Sequence, residues 1–262
     1  LVKRTQSHEI GNAMGRFAVG GSAGFALGPL IAGGVYVFGA HFLWVFTTIA
    51  LLGVLLYLYA FTGEADTTNA GESKSSATST NTGTNDWTSF GKLFFVIASR
   101  SILFSVLSIL YITVINGEAS ASSLALTMYF AMGAVLTYMG GALSDKLGFL
   151  KTIRLGYLIF LPSVLVFIFV PNIWGFFGAM IPMAFGVFSQ YGPITVLGQK
   201  YLAKNAGFAS GITLGLGITL GGLVSPYIGH LADIYDIQTA LMTLIPVGLM
   251  GLLMSLWLKE PK

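Results

Sequence analysis

The chain has 262 residues, of which 55% are hydrophobic and only 9% are charged, and its formal net charge is +3. A soluble domain carries about 25% charged residues, so this composition excludes an ordinary soluble protein and indicates an integral membrane protein. The chain has no cysteine, which excludes disulfide frameworks and thiolate chemistry, and its basic residues lie between apolar segments, where they report membrane topology rather than nucleic-acid binding.

Eight apolar segments in the sequence are long enough to cross a bilayer, which takes about 20 residues. We predict that they are helices, because backbone groups in lipid must be bonded internally and the alternating segments of a barrel are absent. In chain order they are residues 10–38, 40–61, 89–113, 121–143, 152–170, 173–197, 206–232 and 238–258. Trp44, Trp87, Trp174 and Trp257 lie near segment ends, as expected at a membrane interface.

Residues 62–88 break this pattern, since they are rich in Ser, Thr, Gly and Asn. Such a stretch cannot bury enough apolar surface to fold, so we predict a disordered cytoplasmic linker. The linker separates residues 1–61, read as the last two spans of an N-terminal half, from residues 89–262, read as a six-span C-terminal half. Lys and Arg concentrate at one set of segment ends, which places both termini in the cytoplasm by the positive-inside rule.

The glycine-rich segment 11–34 recurs at residues 207–230. Gly11 aligns with Gly207 at an offset of 196 residues, and Pro29 aligns with Pro226 at an offset of 197. Repeats of this kind are typical of two-halved membrane transporters. If the halves match, on the order of 110 residues precede this sequence in the natural protein. We therefore expect an N-terminally truncated chain whose missing spans are required for transport.

Several glycines in the two copies are spaced by four residues, which puts them on one helix face where another helix can approach closely. The predicted packing residues are Gly20, Gly24, Gly28, Pro29, Gly207, Gly211, Gly215, Gly221 and Pro226. The prolines are expected to bend their helices at matching points. These faces serve either packing alone or packing that also lets two halves of the protein rock against each other.

Residues 140–151 read GGALSDKLGFLK and lie at the cytoplasmic end of the fourth segment. We predict a tight cytoplasmic turn in which Asp145 caps a helix start or pairs with a cation. The residues of this motif are Gly141, Asp145, Lys146 and Gly148. The pattern resembles the loop signature of the major facilitator superfamily, G-x-L-A-D-R-x-G-R-R/K, and departs from it at Phe149 and Leu150.

The resemblance extends to a subfamily. Residues 18–29 and 207–233 resemble the fifth and penultimate spans of fosmidomycin-resistance-type drug exporters, and Arg100-Ser101 resembles the start of their seventh span. The resemblance implies an all-α membrane bundle of twelve helices, of which this chain holds spans five to twelve. It further implies a bacterial inner-membrane exporter that exchanges a small molecule for protons by alternating access, with lipid as its surroundings and no cofactor.

Arg16 and Arg100 are the charged residues inside the predicted spans, and neither span carries an acid at similar depth. A buried arginine costs at least ~2.5 kcal/mol by insertion scales, so it requires a partner. The resemblance places the span of Arg100 against a central cavity. We expect Arg100 to contact an anionic substrate group or a proton-coupling carboxylate, with bonding to carbonyls as the structural alternative. Arg16 lies near a cytoplasmic end and is expected to snorkel there.

The sixth segment is interrupted by Ser189-Gln190-Tyr191, next to Gly192-Pro193. Polar residues beside a helix break are typical of a cavity-lining helix, because freed carbonyl groups need partners. Ser189, Gln190 and Tyr191 are therefore candidates for substrate contact. Tyr111 and Tyr129 are secondary candidates, since a lone tyrosine in a span more often packs.

The sequence offers no enzyme signal. His8, His41 and His230 are isolated and lack metal-ligand spacing, and neither a nucleophile elbow nor a phosphate loop is present. We expect no catalytic residue, metal or cofactor and no nucleic-acid partner. A membrane enzyme would need convergent intramembrane histidines or acids. A non-transporting scaffold or receptor with a transporter-like fold remains the alternative to transport.

Overall fold

The computed structural model describes residues 10–39, 44–64, 85–114, 119–169 and 173–261, and their regular structure is helical throughout. The longer helices are α1 (Ile10–Phe38), α2 (Trp44–Glu64), α3 (Trp87–Val114), α4 (Ala119–Leu147), α5 (Phe149–Phe169), α6 (Ile173–Phe188) and α7 (Tyr191–Tyr201). A 3-10 turn at Ala203–Asn205 leads into α8 (Ala206–Ser210), and a π-helical turn at Gly211–Leu216 leads into α9 (Gly217–Ile234). The chain ends with α10 (Ile237–Met242) and α11 (Leu244–Leu256).

The predicted all-helical membrane fold is confirmed. Seven helical stretches of the described chain are long and apolar enough to span a bilayer. The remaining predicted span, residues 40–61, corresponds to α2, whose described apolar part, Trp44–Leu56, is shorter than the other seven. The last three predicted spans are each built from more than one helix: α6 with α7, α8 with α9, and α10 with α11.

Helices occupy both ends of the stretch 62–88 that the sequence predicts as a linker, because α2 continues to Glu64 and α3 already begins at Trp87. Residues 65–84 lie outside the described residues. The hydrogen bonds from Ser89 to Asp86 cap α3 and hold the pKa of the Asp86 carboxyl below its ordinary value of 3.8. This cap stabilises the fold when the pH is above the ordinary pKa of the carboxyl. Its contribution is lost as the pH falls through the lowered pKa.

Residues 85–87, at the start of α3, contact residues that follow or end α7. The Asp86 N–H donates to the Tyr201 carbonyl oxygen at 2.8 Å, and the Asn85 side chain accepts a bond from the Lys204 N–H at 3.1 Å. The Trp87 ring packs edge-on against Phe208, with 5.9 Å between ring centres. The start of α3 is therefore held at the junction between α7 and α8.

The core lies where α3, α5, α6 and α11 meet, with α4 and α7 closing it on further sides. Its largest wholly buried side chains include Leu93, Ile97, Ile153, Tyr157, Phe160, Met183, Leu197 and Leu244. α1 lies along α4, and α9 lies along α3. Large apolar side chains such as Phe95, Leu158 and Leu223 are exposed on the outer faces, as expected of helices that contact lipid.

The predicted packing glycines fall into two groups within the described chain. A Cβ added at any of six predicted packing glycines meets no neighbouring atom within 4 Å: Gly20, Gly24, Gly28, Gly207, Gly211 and Gly215. Pro29 and Pro226 lie inside α1 and α9, as placed from the sequence. In the described chain α1 contacts α4 through other glycines, Gly11 and Gly15, and packing at these six positions stays a prediction.

Gly221 does lie in a close helix crossing. Its N–H donates to the Ser101 hydroxyl at 2.9 Å, and a methyl group added to it would overlap the Ser101 carbonyl oxygen and the Ser105 hydroxyl. The neighbouring Gly222 has open space around its Cβ position. Gly221 thus sets the approach of α9 to α3.

This pair of adjacent glycines allows a matched test of the packing. Gly221→Ala is expected to lower the free energy of unfolding by about 1–3 kcal/mol, because the methyl group meets backbone atoms. Gly222→Ala is expected to be neutral or mildly stabilising, since alanine is favoured over glycine in a helix by up to ~1 kcal/mol. Thermal unfolding of the two purified variants in detergent checks this, and equal midpoints would contradict the described crossing.

Candidate functional site

The amino end of α1 crosses the carboxyl end of α4 so closely that the contact requires glycine. A methyl group at Gly141 would overlap the Gly11 carbonyl oxygen, and a Cβ at Gly15 would lie 3.3 Å from the Gly141 Cα. Gly192 of α7 faces the same point, where its Cβ would lie 3.8 Å from the Gly11 carbonyl oxygen. Three helices therefore meet here with backbone against backbone.

Asp145 sits at this crossing and holds the start of α1. Its two carboxylate oxygens accept hydrogen bonds from the N–H groups of Gly11 and Asn12, each at 2.7 Å. First-turn N–H groups have no partner within their own helix, and the helix dipole favours a negative charge at this end. We call this contact, formed by Asp145 with the Gly11 and Asn12 backbone, the Asp145 clasp. Of the two roles considered from the sequence, capping a helix start is the one that Asp145 has in the structure.

The rest of the motif forms the turn that presents Asp145. Gly148 has a φ of +95°, which favours glycine and allows α4 to end at Leu147 and α5 to begin at Phe149. Lys146 is exposed beside the turn. The structure thus places Gly141 at the helix crossing, Asp145 in the clasp and Gly148 in the turn.

Arg154, one turn further along α5, has a role that the sequence did not predict. Its Nε and Nη2 atoms donate to the Ser255 carbonyl oxygen at 3.1 and 3.0 Å, and Nη2 also donates to the Leu258 carbonyl oxygen at 3.1 Å. These carbonyl groups lie at the end of α11, where the last carbonyl oxygens of a helix have no N–H partner within it. A guanidinium is suited to this end because its positive charge complements the helix dipole.

The predicted helix break is present at Ser189 and Gln190, between α6 and α7. Gly140 of α4 packs on it so closely that a methyl group there would overlap the Ser189 backbone. The Gln190 Nε2 donates to the Gly186 carbonyl oxygen at 2.5 Å. The Ser189 hydroxyl and the Gln190 Oε1 are buried and have no hydrogen-bond partner in the described chain. Buried polar atoms are normally paired, so this break holds unused hydrogen-bonding capacity.

Arg100 reaches the same break from α3. Its side chain is only 8% exposed, and its Nη1 lies 3.4 Å from the Val187 carbonyl oxygen. The guanidinium carbon lies 5.1 Å from the centre of the Tyr191 ring, within range of a cation–π contact. The structure therefore brings Arg100 to both sides of the break predicted from the sequence. Arg16, by contrast, is exposed.

The two secondary tyrosine candidates differ in position. Tyr129 is wholly buried and packs its ring against Phe188 and Phe130, with ring centres 5.2 and 5.4 Å away. Tyr111 lies in α3, and its side chain falls outside the described residues. Packing thus explains the position of Tyr129 without a ligand.

Two polar side chains that the sequence did not single out brace α3 near Arg100. The Tyr157 hydroxyl donates to the Val96 carbonyl oxygen at 3.0 Å, and the Ser99 hydroxyl donates to the Val247 carbonyl oxygen at 2.6 Å. The sequence signal for Ser99 is the polar run Ser99-Arg100-Ser101 within an apolar span. These bonds fix α3 against α5 and α11, and so fix the backbone that carries Arg100.

These sites consist of hydrogen bonds and charged groups at contacts between helices. Within the described ranges, no group of three or more His, Cys, Asp or Glu side chains is placed to hold a metal ion. The Asp145 clasp joins two helices through hydrogen bonds, and the Arg100 region offers a buried positive charge beside unpaired polar atoms. Both features suit a protein that binds a solute and changes conformation around it.

Comparison with known proteins identifies this architecture. The family model described as Major Facilitator Superfamily matches residues 1–212 and also residues 90–262, so the two matches together cover the chain. No curated protein matches the chain.

Neutralising Asp145 tests the clasp. Asp145→Asn keeps the shape of the side chain but removes its charge, so the Gly11 and Asn12 amide protons should exchange about fivefold faster, as expected for a loss of about 1 kcal/mol at a helix start. Hydrogen–deuterium exchange of the α1 peptide measures this. The control is Asp233→Asn, which changes an exposed acid at the end of α9. Equal exchange in Asp145→Asn and the parent would show that the clasp does not hold α1.

Proposed function

This chain belongs to the Major Facilitator Superfamily and is accordingly a membrane-embedded secondary transporter, and we propose that it exports a small organic molecule in exchange for protons. Alternating access is the mechanism we assign to it, with the two halves of the protein rocking about a site near the middle of the membrane. In this proposal residues 1–61 belong to the N-terminal half and residues 89–262 form the C-terminal half, with residues 62–88 as the tether.

The observation that carries the mechanism is the Asp145 clasp. It connects α1, assigned to one half, with α4, assigned to the other, through two hydrogen bonds of 2.7 Å. The glycine crossing beneath it has few side chains to disengage. A contact of this kind favours separation and return, as a rocking transporter requires.

The location of the clasp supports its assignment to one face of the transporter. Contacts at the same end of the bundle include those of Arg154 with the end of α11 and of Tyr201 with the Lys259 carbonyl oxygen at 2.5 Å. This end carries the lysines and arginines that the positive-inside rule assigns to the cytoplasm. We therefore propose that the clasp closes the cytoplasmic face and that both termini lie on that side, in the bacterial inner membrane.

Export and proton exchange rest on the resemblance to fosmidomycin-resistance-type transporters rather than on contacts in this chain. The glycine-rich segments 18–29 and 207–233 carry that resemblance. A drug or metabolite is the proposed substrate.

Transport by the native protein should depend on Asp145. In everted vesicles from cells that produce the protein, a respiration-driven proton gradient quenches a pH-sensitive dye, and an exported compound should release that quench as protons leave. Asp145→Asn is expected to lower the initial rate at least several-fold. The substitution weakens the clasp by about 1 kcal/mol and so changes the relative free energies of the conformations in the cycle. Asp233→Asn should behave as the parent.

A panel of neutral, cationic and anionic drugs would cover the substrate classes in this assay. If no compound released the quench while the protein was folded and inserted, the proton-exchange proposal would be wrong, and a non-transporting scaffold with this fold would be favoured. If Asp145→Asn and the parent had equal rates, the clasp would play no part in the cycle.

A further inference from the structure

The guanidinium of Arg100 has more hydrogen-bond donors than the described chain fills. A guanidinium carries five N–H groups in a planar fork, and Arg100 is 8% exposed, so little bulk water reaches it. Among the described residues, the Val187 carbonyl oxygen accepts a hydrogen bond from Arg100 Nη1. At 3.4 Å this bond is long. Most of the donors therefore lack an acceptor among the described residues.

No described carboxylate lies at the depth of Arg100. The residue sits midway along α3, roughly 20 Å from the helix start at the usual rise per residue. Acidic residues in the described ranges lie at helix ends or beyond them: Glu64, Asp86, Asp145, Asp233, Asp236 and Glu260. Because an unpaired charge in the membrane interior is costly, an anion that arrives at this position gains the interaction that the described chain does not supply.

Among the described residues, Arg100 carries the only positive charge at this depth. The other described basic residues lie within about two turns of a helix end or outside the helices: Arg16, Lys92, Lys146, Lys151, Arg154, Lys200, Lys204 and Lys259. One guanidinium can pair with one carboxylate in a two-bonded fork. A second negative charge on the ligand would enter the same apolar surroundings without a partner, so the site favours a monoanion.

An aromatic surface adjoins the charge. Phe104 follows Arg100 by four residues and so lies on the same face of α3, one turn away. Its ring contacts Phe188 and Phe25, with ring centres 5.6 and 5.9 Å apart. Phe188 directly follows Val187, which accepts the bond from Arg100. Phe25 of α1 is 46% exposed, so part of this aromatic surface is open.

We propose that Arg100 and the Phe104–Phe25 surface form the substrate site of this transporter and that the site takes an amphipathic organic monoanion. The carboxylate of the ligand receives N–H bonds from Arg100, and its apolar body, best an aromatic one, lies on Phe104 and Phe25. The assignment rests on the proposed transport function, since it names the class of solute carried.

The first test uses the unaltered protein, purified in detergent and titrated calorimetrically with four probes. Benzoate combines one carboxylate with an aromatic body, benzamide lacks the charge, acetate lacks the aromatic body, and phthalate carries two charges. Benzoate should bind saturably, and at least tenfold more tightly than each of the other three. Equal affinity for benzoate and benzamide, or no saturable benzoate binding below about 10 mM, would overturn the proposal.

Variants then assign the binding to these residues. Arg100→Gln should lower benzoate affinity at least tenfold, and Arg100→Lys should retain part of it because the charge remains. Arg16→Gln removes the other arginine within a span and should change nothing. Phe104→Leu should lower benzoate affinity several-fold, whereas Phe95→Leu, which alters an exposed ring on the same helix, should not. An equal loss of benzoate affinity in Arg16→Gln and Arg100→Gln would overturn the assignment. If Arg100→Gln fails to fold, the comparison of the four probes in the unaltered protein still tests the proposal.

Binding and transport can fail separately in these experiments. Calorimetry requires no gradient, so the site can bind benzoate in a protein that does not exchange protons, and that result would contradict only the proposed transport. Conversely, a protein that exports neutral or cationic compounds in the vesicle assay but does not bind benzoate would keep its transport function and lose this site.

Discussion

The hydrogen bonds from the first turn of α1 to the Asp145 carboxylate connect α1 with the C-terminal bundle, and the proposed mechanism depends on them. They exist because a helix start leaves N–H groups unpaired and because Gly11 and Gly141 let two backbones approach. A carboxylate in a partly buried helix start contributes up to ~2 kcal/mol. That amount is enough to favour one conformation and small enough to be overcome during a transport cycle.

The same helix connects this contact to the helix break. Successive glycines on α4 face different neighbours, since Gly141 packs on Gly11 of α1 and Gly140 packs on the backbone of Ser189. The break in turn lies beside Val187 and Tyr191, which contact Arg100. A shift of α4 relative to α1 would therefore alter the packing at the break. Close backbone contacts transmit such shifts because they have no flexible side chains to absorb them.

The sequence predicts the helices well because bilayer thickness imposes one length on every span. It also locates the break at Ser189-Gln190, where polar residues and Gly192-Pro193 interrupt an apolar run, and it isolates Arg100 because a charge in a span is conspicuous. These features are properties of short stretches of chain. They need no knowledge of which helices are neighbours.

Contacts between distant parts of the chain could not be predicted in this way. Nothing local indicates that Asp145 meets an N–H group 134 residues away, or that Arg154 serves the end of α11. The glycine spacing pointed to Gly20, Gly24 and Gly28, whereas α1 approaches α4 through Gly11 and Gly15. Four-residue spacing describes one helix face, and the identity of the packed face depends on the neighbour, which the tertiary fold supplies.

We expect the Asp145 clasp to hold α1 and α4 together and to open when its charge is removed by substitution. The chain contains no cysteine, so the double variant Phe17→Cys/Leu147→Cys carries one spin label on α1 and one on α4. Both positions are exposed. Double electron–electron resonance on this pair measures the separation of the two helix ends directly. We predict one short-distance population in the parent and an additional longer one in Asp145→Asn. Identical distance distributions in the two proteins would contradict the account.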